Sequence, residues 1–228
     1  MMPLTSDSDG NGRPQRPVLI PIDGTCLEGE LAIPTDAAGV VLFAHGSGSS
    51  RRSPRGKLVA RRIQAAGTAT LLFDLLSPRE EREDAIDGHL RFNIGLLAGR
   101  LAQCARWIGK LPETRKLGIG LFGASTGGAA ALVAAAELGS LVQAVVSRGG
   151  RPDLAGDSLP CVGSPTLLIV GALDEAVLRL NREAYEILRC KRRLALVPGA
   201  THLFEEPGAL EEVAALASDW FRGNLSPR

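Results

Sequence analysis

The sequence predicts an α/β fold, with a mostly parallel central sheet of about eight strands and helices on both faces. Short apolar runs alternate with longer segments whose apolar residues recur at helical spacing. Several of the runs are apolar throughout, as strands buried on both faces require. The chain has 228 residues, 45% of them hydrophobic, enough for one substantial core.

Val18–Ile22 and Leu27–Ile33 read as two opening strands joined by a turn at Asp23-Gly24, forming an antiparallel edge. Val40–Phe43 is a third strand. Lys57–Ala66 is helical, with Val59, Ile63 and Ala66 on one face. Thr70–Phe73 is the next strand, followed by a charged loop, Ser77–Asp87. Phe92–Ile108 is a longer helix whose Leu97, Leu101, Cys104 and Ile108 share a face, so Cys104 is packed. A strand from Leu117, a small-residue helix and a strand at Ala144–Ser147 come next. Thr166–Val170 precedes a helix marked by Val177, Leu180, Ala184 and Ile187. Leu194–Val197 is the last strand, and Leu210, Val213, Leu216 and Trp220 mark the closing helix. Trp107 and Trp220 read as packing residues.

Residues 1–16 are polar and lack the apolar centre of a secretory signal, so they read as a disordered leader before one domain, 17–228. With 26 basic and 25 acidic residues the net charge is +1, and nothing electrostatic points to nucleic acid or a membrane surface. No apolar stretch approaches the ~20 residues of a spanning helix. Cys26, Cys104, Cys161 and Cys190 form no Cys-x-x-Cys pair, which argues against a metal or redox cofactor and for reduced thiols in a cytoplasmic protein. No Gly-Lys-Ser/Thr follows the glycine-rich segments, so a phosphate-binding nucleotide loop is excluded.

The most informative segment is Leu117–Leu132, where a buried-strand run breaks at Gly123-Ala-Ser-Thr-Gly127 and a small-residue helix follows. A serine there sits on a sharp strand-to-helix turn, its hydroxyl lifted clear of the sheet. Side chains at positions 123 or 127 would crowd such a turn. Alone, the pattern could instead be a glycine-rich turn between a strand and a packed helix. Three further segments give it context. Pro165–Asp174 is a buried strand ending at an aspartate, and active sites of parallel sheets gather at that edge; Asp174 could instead cap the following helix. Leu194–His202 is a strand whose loop carries a histidine, a residue that in a loop is more often simply solvated. Val40–Ser50 runs a strand into His45-Gly-Ser-Gly-Ser-Ser50, a loop able to turn amides toward a developing negative charge. The amides of Ser47, or a near neighbour, and of Thr126 are the expected donors. His45 is expected to brace this loop rather than act as a base.

Together, His45-Gly-Ser-Gly-Ser-Ser-Arg51, Gly123-Ala-Ser-Thr-Gly127, Leu173-Asp-Glu175 and Pro198-Gly-Ala-Thr-His202 resemble the α/β-hydrolase superfamily, specifically its dienelactone-hydrolase-like branch. The chain order Ser125, Asp174, His202 is the one expected of that fold. The resemblance spans Pro17 to Phe221 and implies a Ser125–His202–Asp174 triad acting on a small-molecule ester. One departure matters: dienelactone hydrolase proper carries a cysteine nucleophile, so lactone specificity does not carry over to a serine. Thioesterase, peptidase or acyltransferase activity would use the same triad, and a non-catalytic ligand-binding module could use the same fold.

Only 18 residues, Arg148 to Pro165, separate Ser147 from Thr166, too few for a helical lid domain. Cover for the site would come from Ser77–Arg91 or the Gly149–Gly163 loop, which disfavours interfacial lipase activity. Arg51, Arg52, Arg55, Arg148 and Arg151 crowd two loops at the expected active edge. Guanidinium groups there could hold a substrate carboxylate or phosphate. The favoured alternative is solvation, or pairing with Asp153, Asp157 and the acids of Glu80–Asp84. Arg148 is the best single candidate for substrate binding, with Arg51 and His45 beside it. Asp74 follows a strand and could line the site or cap a turn; His89 reads as exposed.

Overall fold

The computed structural model describes residues 15–22 and 24–228; residues 1–14, most of the expected leader, and Asp23 of the expected first turn lie outside the described residues. The chain runs β1 (Gln15–Ile22), β2 (Thr25–Ala32), β3 (Gly39–Ala44), α1 (Pro54–Ala65), β4 (Ala69–Phe73), α2 (Pro78–Asp87), α3 (Ile94–Ile108), β5 (Gly118–Ala124) and α4 (Thr126–Leu138). It continues with β6 (Val142–Arg148), β7 (Thr166–Gly171), α5 (Glu175–Ile187), β8 (Arg192–Val197) and α6 (Ala209–Asn224). The first strand therefore starts two residues inside the expected leader.

The eight strands form one sheet in the order β1-β2-β4-β3-β5-β6-β7-β8. β1 pairs antiparallel with β2 and β2 with β4, while every pairing from β4 through β8 is parallel. Because parallel neighbours need crossover connections, helices cover both faces, and β3, β4 and β7 are buried along their whole length. On one face Leu42, Leu121, Val145 and Leu168 pack with α3, α4 and the end of α5, through Leu97, Leu101, Ala131 and Ala184. On the other, Val41, Phe43, Phe122, Val146 and Ile169 pack with α1 and α6, through Val59, Ile63, Val213 and Phe221. Gly120 in β5 lets the Phe221 ring lie against the strand, since a Cβ there would come within 2.7 Å of the ring.

One expected loop is a helix. Ser77–Asp87 forms α2, set by a capping box in which the Ser77 hydroxyl accepts from the Glu80 amide and the Glu80 carboxylate accepts from the Ser77 amide. Pro78 occupies the first turn and Gly88, left-handed at φ 73°, ends the helix. Between β6 and β7 lies only a kinked 3₁₀ segment, Pro152–Cys161, so no lid domain interrupts the sheet. No helix among the described residues is long and apolar enough to cross a membrane.

Candidate active site

Parallel strands point their C-terminal ends to a single edge, and the four motif segments leave the sheet there, after β3, β5, β7 and β8. At the end of β5 the chain reverses at Ser125, whose φ of 51° and ψ of −120° lie where a side chain is strained. That conformation is held by three backbone hydrogen bonds. The Ser125 amide donates to the Arg148 carbonyl at 3.2 Å, and the Ser125 carbonyl accepts from Gly128 at 3.0 Å and Arg151 at 3.2 Å. A Cβ at position 123 would lie 2.6 Å from the Gly127 carbonyl carbon, and one at 127 would lie 2.6 Å from the His45 carbonyl oxygen. Both glycines are thus steric requirements: the first brings α4 against β5, the second brings it against the end of β3.

That second approach sets Thr126 beside Ser47. The Ser47 amide donates to the Thr126 hydroxyl at 2.9 Å, so the two expected oxyanion donors adjoin, with one amide engaged by the other residue's side chain. No side chain caps the first turn of α4. His45 braces this loop, as expected: its Nε2 accepts from the Leu75 amide at 3.1 Å, which leaves Nδ1 as the protonated nitrogen facing the Gly46 carbonyl at 3.0 Å. Burial, opposed more weakly by the Gly46 carbonyl and Asp74, holds this imidazole below its ordinary pKa and keeps it neutral.

Asp174 begins α5 but makes no capping bond with its side chain. Its carboxylate instead accepts from His202 Nδ1 at 2.7 Å. His202 reaches the rim because its loop crosses the end of β7, where a Cβ on Gly171 would come 2.6 Å from the Thr201 carbonyl. Two bonds sew the two loops together, from the Ala172 amide to the Val197 carbonyl and from the Leu173 amide to the Ala200 carbonyl, both 2.9 Å, while the Asp174 amide turns its own loop by donating to the Gly171 carbonyl at 3.0 Å. Glu206 closes the histidine loop by accepting from the Thr201 amide and hydroxyl at 3.1 and 2.6 Å. Gly149, next to the carbonyl that holds Ser125, lies against His202: a Cβ there would be 3.5 Å from the ring's Cε1. Ser125 and His202 line one cavity of about 270 Å³.

The same cavity is lined by His45, Ser47, Arg51, Arg55 and Arg148, over an apolar floor that includes Phe43, Val59, Phe122 and Leu210. Phe43 and Phe122 are register partners in adjacent strands, with ring centroids 4.8 Å apart. The arginines divide sharply. Arg51 is tied to Asp74, by its guanidinium and by its amide at 2.7 Å, and to Glu28 at 2.5 Å. Asp74 is therefore an anchor for the loop after β3, and Arg51 is turned to a carboxylate of β2 and to the one just past β4 rather than left open to a ligand. Arg55 pairs with Glu205 at 2.8 Å and Arg151 with Asp153 at 2.7 Å. The Arg148 guanidinium has no carboxylate or hydrogen-bond partner among the described residues, and its Nη1 is fully buried. It lies over the Phe204 ring, 5.4 Å from the centroid. Burial, with a smaller contribution from Arg55, pulls its pKa down to about 10, so it remains charged at neutral pH.

Sequence reasoning missed Phe204, held at φ 57° and buried beneath Arg148, and the Thr201–Glu206 clasp. No sequence signal marks either. The Phe43–Phe122 floor was within reach, because both aromatics sit near the ends of the two motif-bearing strands. Of the expected covers, Glu81, Asp84 and Arg91 line a separate depression on the far side of the oxyanion loop, not the Ser125 cavity. His89 is exposed, against Asp87. Among the described residues, no three His, Cys, Asp or Glu side chains cluster to hold a metal ion.

No family model matches the chain. Two Mycobacterium tuberculosis proteins, each described as "Putative phosphoribosyl transferase", are 57% identical over 199 residues, covering 87% of this chain and 44% of theirs. The chain thus spans less than half the length of these curated relatives. The crystal structure of a dienelactone hydrolase from Anabaena variabilis is 56% identical, with a TM-score of 0.92 over 93% of this chain and 99% of that one. The esterase domain of a Rhodothermus marinus protein shares the fold at 20% identity, with a TM-score of 0.71 over 92% and 98% of the two chains. Near-complete coverage of a dienelactone hydrolase at more than half identity, on an eight-stranded sheet with an elbow serine, leaves one assignment: the chain belongs to the dienelactone-hydrolase-like branch of the α/β-hydrolase superfamily.

Proposed function

We propose that the protein is a serine hydrolase that cleaves carboxylic esters of small molecules through an acyl-enzyme. The observation that carries this reading is the 2.7 Å bond from His202 Nδ1 to Asp174, at the rim where Ser125 is held in a strained turn. With Nδ1 protonated and fixed, Nε2 is the basic nitrogen and is available to the Ser125 hydroxyl across the shared cavity. Ser125 attacks the acyl carbonyl while His202 takes its proton. The negative charge that develops on the carbonyl oxygen turns toward the amides of Ser47 and Thr126, where the uncapped first turn of α4 adds its dipole. Asp174 stabilises the imidazolium, which then protonates the departing alcohol. Water, deprotonated by His202, releases the acid by the same route.

The absence of a lid domain accords with soluble substrates reaching the rim directly. The transferase name of the longer mycobacterial proteins describes chains of which this one spans 44%, and no step here depends on it. A panel of p-nitrophenyl esters of graded acyl length tests the reading. At least one ester should be hydrolysed with burst kinetics, and Ser125→Ala or His202→Ala should lower turnover by ~10⁴-fold or more. Unchanged hydrolysis by a folded Ser125→Ala protein would rule it out.

A further inference from the structure

We infer that Asn181 is a positioning residue for the Ser125 nucleophile: its side-chain amide, inside α5, clamps the Gly150 carbonyl and so fixes the turn that holds the strained Ser125 backbone. The inference rests on the serine-hydrolase reading and adds to that site a residue that touches none of the reacting atoms.

α5 buries Val177, Leu178, Asn181 and Ala184. Three of these are apolar, as the inward stripe of an amphipathic helix should be. The fourth is an amide with no exposed surface, and its Oδ1 is buried without a partner among the described residues. An unpaired buried carbonyl oxygen is unfavourable, and an aliphatic side chain at 181 would avoid it. What the amide supplies lies on its nitrogen. Nδ2 donates to the Val177 carbonyl at 2.8 Å and to the Gly150 carbonyl at 3.0 Å. Two carbonyl acceptors facing one atom identify it as the nitrogen, because an oxygen there could donate to neither.

Gly150 lies in the turn that leaves β6, between the two residues that hold Ser125. The Ser125 amide donates to the Arg148 carbonyl, and the Arg151 amide donates to the Ser125 carbonyl, both at 3.2 Å. Side chains cannot anchor the middle of this turn: Gly149 is left-handed at φ 51°, and a Cβ on Gly150 would collide with the Ser147 hydroxyl. Its fixed points are the Gly149 amide, which donates to the Ile169 carbonyl at 2.7 Å, and the Asn181 amide on the Gly150 carbonyl. The Ser125 conformation persists only where its surroundings impose it. Asn181 follows Asp174 by seven residues, about two helical turns. One side of α5 therefore carries both the partner of His202 and the clamp on the Ser125 turn.

Two variants test the clamp: Asn181→Leu, of similar size, and Asn181→Ser, whose shorter side chain keeps a bond to Val177 and gives up Gly150. In both, kcat on a p-nitrophenyl ester and the rate of fluorophosphonate labelling at Ser125 should fall together by about ten- to hundredfold, the loss expected when a reacting group shifts by ~1 Å. KM should stay within about twofold, and the pH at which activity rises with His202 deprotonation should not move, since the Asp174–His202 pair is untouched. A side chain that only packs would lower the melting temperature and leave kcat of the folded protein unchanged; that result in either variant would overturn the proposal. Should neither variant fold, amide hydrogen exchange in the wild type decides. The Gly149 and Arg151 amides should be protected like those of β5, and rapid exchange at either would overturn the proposal. A wild type that neither hydrolyses an ester nor labels at Ser125 would sink the hydrolase reading instead, with the exchange measurement still reporting on the clamp.

Discussion

The Ser47 amide donates to the Thr126 hydroxyl at 2.9 Å, joining the loop after β3 to the first residue of α4. The two residues are 79 positions apart and meet only because Gly127 has no side chain to hold α4 away from the β3 end. In the mechanism proposed, that amide must point at a developing oxyanion, so the hydroxyl both aims it and competes for it. Thr126→Val should lower kcat on a p-nitrophenyl ester about tenfold with little change in KM, because losing a donor outright costs ~10²–10³-fold and this change only misaims one. Thr126→Ser should stay near wild type. Equal kcat in Thr126→Val would remove Ser47 from the oxyanion site.

Asp174 makes no capping bond to α5 and gives its carboxylate to His202. Asp174→Asn keeps the shape but offers an amide that can stabilise the wrong imidazole tautomer. Turnover should fall by ~10³–10⁴-fold, with thermal stability nearly unchanged, since no helix cap is lost. A fall in melting temperature with activity preserved would assign Asp174 to structure instead.

Stability should depend on pH through Glu80. Hydrogen bonds from Arg100, opposed by burial and helped by Ser77, hold its carboxyl at about 2, below the ordinary 4.5. The unfolded chain therefore takes up this proton first as pH falls. The stabilisation is full above pH 4.5 and is lost progressively toward pH 2. Converted in full, the displacement is about 3 kcal/mol; partial solvation of the carboxylate leaves about 1–2 kcal/mol. Urea midpoints of wild type and Glu80→Gln should differ at pH 7 and draw together as the pH falls toward 2. A constant gap across that range would contradict the assignment.

Much of this site can be read in the chain because its signals are local. Gly123-Ala-Ser-Thr-Gly127 fixes the turn through two steric exclusions, and the apolar strands before Ser125, Asp174 and His202 dictate that all three emerge at one edge. The segment 77–87 reads as a loop in the sequence because α2 lacks an apolar face: Ile86 is exposed, and the residue the helix buries is Asp84, which accepts from the Leu90 and Arg91 amides and from the Arg91 side chain. The Ser77-Pro-Arg-Glu80 capping box was the signal available. The fates of the arginines were not legible. Arg51 finds Glu28 only because β2 pairs antiparallel with β4, which brings Glu28 beside Asp74. The lack of a partner for Arg148 is a property of burial, and burial is set by the packing of β6 against Phe204 and its neighbours.

The hydrolase proposed here requires Ser125 to be an activated nucleophile. Reaction of the folded protein with a fluorophosphonate, followed by peptide mass spectrometry, tests it most directly. One adduct is expected, on the peptide carrying Ser125, absent in Ser125→Ala and formed far more slowly in His202→Ala. A folded protein that stays unlabelled, or labels at another serine regardless of the Ser125→Ala change, would contradict it.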